Sequence, residues 1–156
     1  MPSSSAAAVR IASASGSVTD RRYEFAELAR CEDVDFIVGD WMSEYNMTTR
    51  GGAKSEGLSQ NPEYETCFLE SILPALEHLD SRKIKVAVNA GASDTEKLHD
   101  FLVDAITKKG LNLRVAWVEG DEVFDAVQKA QANGMDFRNL TTGMVPRYSM
   151  AIAKQF

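Results

Sequence analysis

The stretch IKVAVNAGASDTEK, residues 84–97, decides the predicted fold. Its opening residues alternate apolar with polar or smaller side chains, and this period of two predicts a β-strand. A run of small residues, 89–92, interrupts the alternation. Ser93 and Glu96 then stand at the spacing of a capping box, in which each side chain accepts from the other residue's backbone N–H. The stretch therefore predicts a strand, a tight loop and the first turn of a helix.

The residues that follow complete a β-α-β unit. Apolar residues recur at helical spacing up to a stop at Gly110, and they are Leu98, Phe101, Leu102, Ala105 and Ile106. Residues 111–119 predict the next strand. In open α/β sheets ligands bind where strands end and helices begin, because free backbone N–H groups face one crevice there. We therefore expect a site at that edge of the sheet.

Composition and charge limit the classes of partner. The chain has 156 residues, 44% of them hydrophobic, which predicts one folded domain. Its formal net charge of −6 argues against nucleic acid and anionic lipid, and no apolar run has membrane-spanning length. Cys31 and Cys67 form neither a disulfide framework nor a zinc motif, so the expected location is the reducing cytoplasm.

The N-terminal part of the chain predicts one strand and one helix. Residues 1–8 are expected to form a flexible lead. Residues 9–11 predict a short strand, residues 12–17 the loop after it, and residues 20–30 a helix that is capped by residue 19 or 20.

The middle of the chain predicts a buried strand, a long loop and a broken helix. Residues 35–39 (DFIVG) are apolar on both faces, as interior parallel strands are. Residues 41–62 show no sustained period and predict a long functional or mobile loop. Residues 64–79 have helical spacing, and Pro74 within them predicts a kink or a restart.

The C-terminal part predicts a last helix over residues 123–134 and an irregular tail over residues 135–156. The expected fold is α/β, a Rossmann-like three-layer domain over residues 9–134 with a short, mostly parallel sheet of about four strands. Such sheets usually have five or six strands. We therefore expect a chain that is truncated at its C-terminus, marginally stable and prone to self-association.

The candidate ligand-binding residues lie in three predicted strand-to-helix connections and are Ser13, Ser15, Gly16, Asn89, Ala90, Gly91, Ala92 and Gly120. Small side chains there would let a phosphate or carboxylate approach the backbone. The alternatives are a tight turn without a ligand at the first connection, and an Asn89 that only ties down its loop at the second. Neither G-x-G-x-x-G nor G-x-x-x-x-G-K-[ST] is present, so the cofactor stays unknown.

The candidate catalytic residues are carboxylates at predicted strand ends, namely Asp40, Glu44, Glu119 and Asp121. The first two stand beside Trp41 and Tyr45, and acids with aromatics can line a pocket, although a surface loop has the same composition. The last two could act as acid and base or hold a cation. For Asp121 we favour the interpretation that it is the N-cap of the last helix.

The remaining reactive side chains predict no further chemistry. His78 and His99 have no partner at metal-ligand spacing, and we expect both to be exposed on helices, with no metal site. Cys31 and Cys67 lack the basic, helix-starting surroundings that activate a thiol.

Four stretches in register resemble the N-terminal domain of the acyclic terpene utilisation family. They read RIASASGSVTDRR, DFIVGDWMSE, KVAVNAGASD and VAWVEGDEV. The resemblance implies an α/β domain that acts in the bacterial breakdown of geraniol- and citronellol-type isoprenoids, at the level of acyl-CoA intermediates. It implies no catalytic residues, and because family members are longer, it implies that this chain is a truncated member.

Three functional hypotheses remain open from the sequence. The first is an enzyme-type domain that binds an anionic small molecule, with a CoA thioester as the leading candidate, at the carboxyl ends of its strands. The second is a non-catalytic binding or assembly module, and the third is an inactive fragment of a longer enzyme. The expected partners are the small-molecule ligand and a second copy of the chain.

Overall fold

The computed structural model describes residues 8–15, 20–55, 58, 63–121 and 123–145. Its strands and helices are β1 (Ile11–Ser15), α1 (Tyr23–Cys31), β2 (Phe36–Gly39), α2 (Glu44–Ser55), α3 (Thr66–Ile72), α4 (Leu76–Arg82), β3 (Lys85–Val88), α5 (Thr95–Lys108) and α6 (Phe124–Ala132). None of the described helices is long and apolar enough to cross a membrane.

The strands form one small open parallel sheet in the order β1-β2-β3. This confirms the predicted α/β class. β1 begins two residues later and ends four residues later than predicted, because residues 12–15 continue the pairing with β2 as far as Ser15 and Gly39. Ser13 and Ser15 are therefore strand residues and not part of the loop. Gly16 lies outside the described residues.

The described sheet has one strand fewer than the expected four or so. Leu111, Leu113 and Val115 pack against the core at alternate positions, but residues 111–119 form no strand. The backbone N–H of Asn112 donates to the carboxylate of Asp80 on α4, at 3.1 Å. This bond ties the segment to a helix, whereas a fourth strand would have to pair with β3.

Helix α2 replaces most of the long loop that the sequence predicted. Ser43 begins it: its Oγ accepts from the N–H of Asn46 at 3.2 Å, and its carbonyl accepts from the N–H of Met47 at 2.9 Å. Met47 is buried, which anchors the helix to the domain. The Gly51-Gly52 pair has low helix propensity and hides this pattern in the sequence. Residues 56, 57 and 59–62 of the predicted loop lie outside the described residues.

Three predicted helix boundaries have definite outcomes. The break at Pro74 is confirmed, because a 3₁₀ turn (Leu73–Ala75) separates α3 from α4. The stop at Gly110 is confirmed as well, since this residue has a φ of +65° just after α5. The capping box at the start of α5 is wrong. The N-cap is Asp94, and its carboxylate pairs with Lys97 at 2.7 Å and caps no backbone N–H.

Aromatic rings at the centre of the core join the sheet to the helices. Trp41 follows β2 and packs against Phe25 of α1 and Phe68 of α3, with ring centroids 6.4 and 4.9 Å away. The indole also covers Gly39 so closely that a Cβ there would lie 2.9 Å from Cη2 and closer still to Cζ3. Gly39 is therefore required by packing at this point.

We predict that Gly39→Ala lowers the free energy of unfolding by about 1–3 kcal/mol, the usual cost of an overpacked core. Chemical denaturation of the variant measures it. The same substitution in a Trp41→Phe background should cost less, because the smaller ring leaves room for the added methyl group. Equal costs in both backgrounds would show that the indole is not the obstacle.

A second prediction concerns the bond between Asp80 and Asn112. The backbone N–H of Asn112 and then the ammonium of Lys83 hold the pKa of the Asp80 carboxyl below its usual range. A lowered pKa stabilises the fold above the unfolded value of about 3.9, and this stabilisation is lost as the pH falls through the folded value. Asp80→Asn should therefore be destabilising near neutral pH, by an amount that shrinks as the solution is acidified.

Urea denaturation at several pH values measures this difference in the free energy of unfolding. Asp104→Asn is the matched control, because it removes an exposed helical carboxylate that pairs with Lys108. Its effect should be small, because exposed ion pairs contribute little to stability. An Asp80→Asn effect that stays constant across the acid range would contradict the prediction.

Candidate functional site

The carboxyl ends of all three strands lie along one edge of the sheet, because the strands are parallel. The N–H of Asp40 donates to the carbonyl of Ser15 at 2.9 Å and joins the ends of β1 and β2. Asn89 follows β3 at the same edge. The structure thus brings Ser13, Ser15, Asp40 and Asn89 to this edge, with the end of β2 between the other two strands.

The side chain of Asn89 connects the end of β3 to the turn after β2. Its Oδ1 accepts from the N–H of Trp41 at 2.7 Å and from the N–H of Met42 at 3.2 Å. Its Nδ2 donates to Oδ1 of Asp40 at 2.6 Å. An asparagine has two donor hydrogens and two acceptor positions. Within the described part of the chain, these three bonds leave one amide hydrogen of Asn89 without an acceptor.

The loop after β3 is compact and mostly buried. Ala90 is inaccessible to solvent, and Gly91 is buried against α5, where a Cβ would lie 2.5 Å from Oγ1 of Thr95. Among the described residues of this loop the positive φ belongs to Ala92, at +46°. Gly91 is therefore needed for close packing and not for a left-handed backbone.

Several backbone N–H groups of this loop are already engaged. Those of Ala92 and Asp94 donate to the carbonyls of Asn89 and Gly91, and that of Ser93 donates to Glu63. The first-turn N–H groups of α5 lack intrahelical partners, as at every helix start. The N-terminal end of α5 is thus the part of this connection that can donate to an anion.

The predicted catalytic carboxylates fall into two groups. Asp40 belongs to the hydrogen bonds around Asn89, and Glu44 opens α2 at an exposed position. Glu119 instead accepts from Nε1 of Trp117 at 3.1 Å, and Asp121 is exposed. Within the described residues, no hydrogen bond or ion pair joins Glu119 or Asp121 to Asp40.

The expected N-cap role of Asp121 is wrong. Val123 occupies the N-cap of α6, and no side chain caps this helix start. Gly120 has a φ of +117°, so the backbone between Glu119 and Asp121 adopts a conformation that favours glycine. The N-cap of α6 therefore lies two residues beyond Asp121.

Sequence reasoning missed a buried ion pair beside this edge. Oε1 of Glu65 lies 2.9 Å from Nε and 2.8 Å from Nη2 of Arg50, and the Glu65 side chain is only 8% exposed. The N–H of Glu65 donates to the carbonyl of Ala90 at 2.9 Å, which places the pair next to the loop after β3. The segment around Arg50 has no clear hydrophobic periodicity, so the sequence does not indicate this ion pair.

The histidines and cysteines show no activated group. His78 and His99 are half-buried and not exposed as expected, and the ring of His99 packs on Trp117 with centroids 4.4 Å apart. Burial, followed by the nearby Glu65 carboxylate, raises the pKa of the Cys67 thiol and so disfavours the thiolate. The described residues contain no group of His, Cys, Asp and Glu side chains that could hold a metal ion.

We predict that Asn89→Ala lowers the free energy of unfolding by about 1–3 kcal/mol, since the N–H of Trp41 loses its acceptor while that of Met42 keeps only Oδ1 of Asp40, at 3.1 Å. Urea denaturation measures the loss. Asn112→Ala is the control, because the Asn112 side chain makes no hydrogen bond within the described part of the chain. Two variants of equal stability would contradict a structural role for the Asn89 amide.

Comparison with known proteins identifies the family. A search of curated proteins and a search of solved structures each find no match. A family model described as "Acyclic terpene utilisation family protein AtuA" matches residues 9–154, which is nearly the whole chain. The resemblance carried by the four sequence stretches is thereby confirmed, and the chain belongs to the acyclic terpene utilisation family.

Proposed function

We propose that this chain binds an acyl-CoA intermediate of acyclic terpene breakdown at the carboxyl edge of its sheet. Membership of the family implies a role in acyclic terpene utilisation. The intermediate is an anion with an apolar acyl chain, so its site needs backbone donors and an accessible apolar surface.

The observation that carries the proposal is the set of bonds around Asn89. Asn89 orders the turn at Trp41 and Met42 and retains one amide hydrogen that can reach a ligand. Because bonds within the protein hold this geometry, little conformational entropy is lost when a ligand binds. The unpaired first-turn N–H groups of α5 supply donors for a phosphate or a thioester carbonyl at the same edge.

An exposed aromatic side chain supports the apolar half of the proposal. Trp41 is buried in the core and unavailable, whereas Tyr45 is 76% exposed in the first turn of α2. Aromatic rings give apolar or stacking contact to acyl chains and to adenine. The proposed site therefore lies between the first turn of α2 and the start of α5.

A second candidate function is a binding module that performs no chemistry. The polar groups at the edge favour it, because Asp40, Asn89 and Glu65 are already engaged in bonds within the protein. The raised pKa of the Cys67 thiol also disfavours a nucleophilic role for the half-buried cysteine. This function shares the ligand of the first proposal and differs from it only in turnover.

Thermal unfolding with a branched ten-carbon acyl-CoA, free CoA or ATP tests the binding. Free ligand at about a hundred times its dissociation constant should add about 2.7 kcal/mol to the free energy of unfolding. Tyr45→Ala should weaken the stabilisation by acyl-CoA, while Tyr23→Ala, at a similarly exposed tyrosine of α1, should leave it unchanged. Absence of stabilisation by any CoA compound would contradict the proposal.

The same mixtures separate the two candidate functions. Mass spectrometry of the ligand after prolonged incubation shows whether the thioester, the acyl chain or neither has changed. An altered ligand indicates an enzyme, and an unaltered ligand that still stabilises the fold indicates a binding module.

A further inference from the structure

Arg50 is a cation on the inner face of α2. Met47, three residues before it, is buried, and Nδ2 of Asn46 donates to the carbonyl of Trp41 at 3.2 Å, so this side of the helix faces the domain. Thr48, on the opposite side, is exposed. The Arg50 side chain itself is 25% exposed. Its charge is therefore held against the protein, and a part of it can still be reached from solvent.

Glu65 occupies one edge of the Arg50 guanidinium. Oε1 of Glu65 lies 2.9 Å from Nε and 2.8 Å from Nη2. A guanidinium carries five N–H groups in a planar fork. The hydrogens of Nη1 and the second hydrogen of Nη2 form the other end, which we call the Nη end. Within the residues that the structure describes, the Nη end has one hydrogen-bond partner, the carbonyl oxygen of Glu63, 3.5 Å from Nη1. Glu65 thus fixes the orientation of the guanidinium and leaves N–H groups for another acceptor.

The carbonyl of Glu63 places the Nη end beside the start of α5. The same oxygen accepts from the backbone N–H of Ser93 at 3.4 Å. Ser93 directly precedes Asp94, which is the N-cap of α5. Arg50 and the first turn of α5 therefore approach the same carbonyl group, next to the loop that follows β3.

An anion is the kind of ligand that this arrangement suits. Arginine binds phosphate through paired N–H groups of its planar fork, and a guanidinium that is already oriented loses little side-chain entropy on binding. Lys97 is another cation near the start of α5, but its side chain is 61% exposed and its ammonium pairs with Asp94 at 2.7 Å. Arg50 differs from Lys97 because a nearly buried carboxylate orients it.

We propose that Arg50 binds a phosphate group of the ligand through its Nη end, and that Glu65 is the residue that positions the guanidinium for this contact. The inference rests on the proposed function, because it assigns one part of the acyl-CoA molecule to one side chain at the carboxyl edge of the sheet.

Isothermal titration calorimetry of the full chain with two probes tests this assignment. One probe is the branched ten-carbon acyl-CoA, and the other is the pantetheine thioester of the same acid, which has no phosphate group. Arg50→Lys should weaken acyl-CoA binding about tenfold, because lysine keeps the charge and loses the paired N–H groups. It should leave the affinity for the pantetheine thioester unchanged. Arg30→Lys, at an exposed ion pair of α1, is the matched control and should change neither affinity.

Glu65→Gln separates phosphate binding from a purely structural role of the ion pair. Glutamine still accepts from the guanidinium but removes the negative charge beside it, so acyl-CoA binding should become stronger. If Arg50 and Glu65 only fasten α2 to the domain, both substitutions should weaken binding together, and that result would overturn the proposal. Circular dichroism checks that each variant is folded.

Two further results would also overturn the proposal. One is an Arg50→Lys variant that binds acyl-CoA as tightly as the wild type, and the other is equal loss of affinity for both probes. In either case a wild-type chain that binds acyl-CoA still supports the proposed function. A wild-type chain that binds neither probe would contradict the proposed function and this inference together.

Discussion

The packing of Trp41 is the constraint on which the rest of the structure depends. Its indole lies over Gly39 and contacts rings from α1 and α3, so one side chain just past the end of β2 joins the sheet to two helices. Holding the indole in the core forces the chain to turn sharply after Gly39. The side chain of Asn89 accepts from the N–H of Trp41 and shares the N–H of Met42 with Asp40. The geometry of the carboxyl edge is therefore a consequence of core packing.

Most polar groups at this edge are engaged in hydrogen bonds or ion pairs within the protein. Three of the four hydrogen-bonding positions of Asn89 are used within the protein, and Glu65 forms an ion pair with Arg50. Burying an unpaired charge costs several kcal/mol, so removing Arg50 alone would be more damaging than replacing the pair. Such an edge suits recognition by a few remaining donors better than chemistry by free acids. For this reason we propose non-catalytic binding as a second candidate function next to an enzymatic one.

The features that could be predicted from the sequence are those that local sequence patterns determine. The apolar periods of β2, β3 and α5 and the glycine stop at Gly110 depend on neighbouring residues, and all of them form where expected. The bond between Asn89 and Trp41 joins residues 48 positions apart, and no pattern within either stretch encodes it. The alternation at the start of residues 111–119 likewise predicts that alternate side chains pack on the core. It does not determine which groups accept hydrogen bonds from the backbone N–H groups of this segment. α2 was not predicted, because the low helix propensity of its glycine pair argued against a helix despite the capping residue Ser43.

The topology explains why one face of the sheet is left open. Strands that follow one another in the order β1-β2-β3 have their connecting helices on one face when each crossover takes the usual right-handed form. Ser13 pairs with Val38 on the face opposite Ile37, two residues before the strand end where Ser15 meets Asp40. The face that the connecting helices leave uncovered within the described residues therefore reaches up to the carboxyl edge of the sheet.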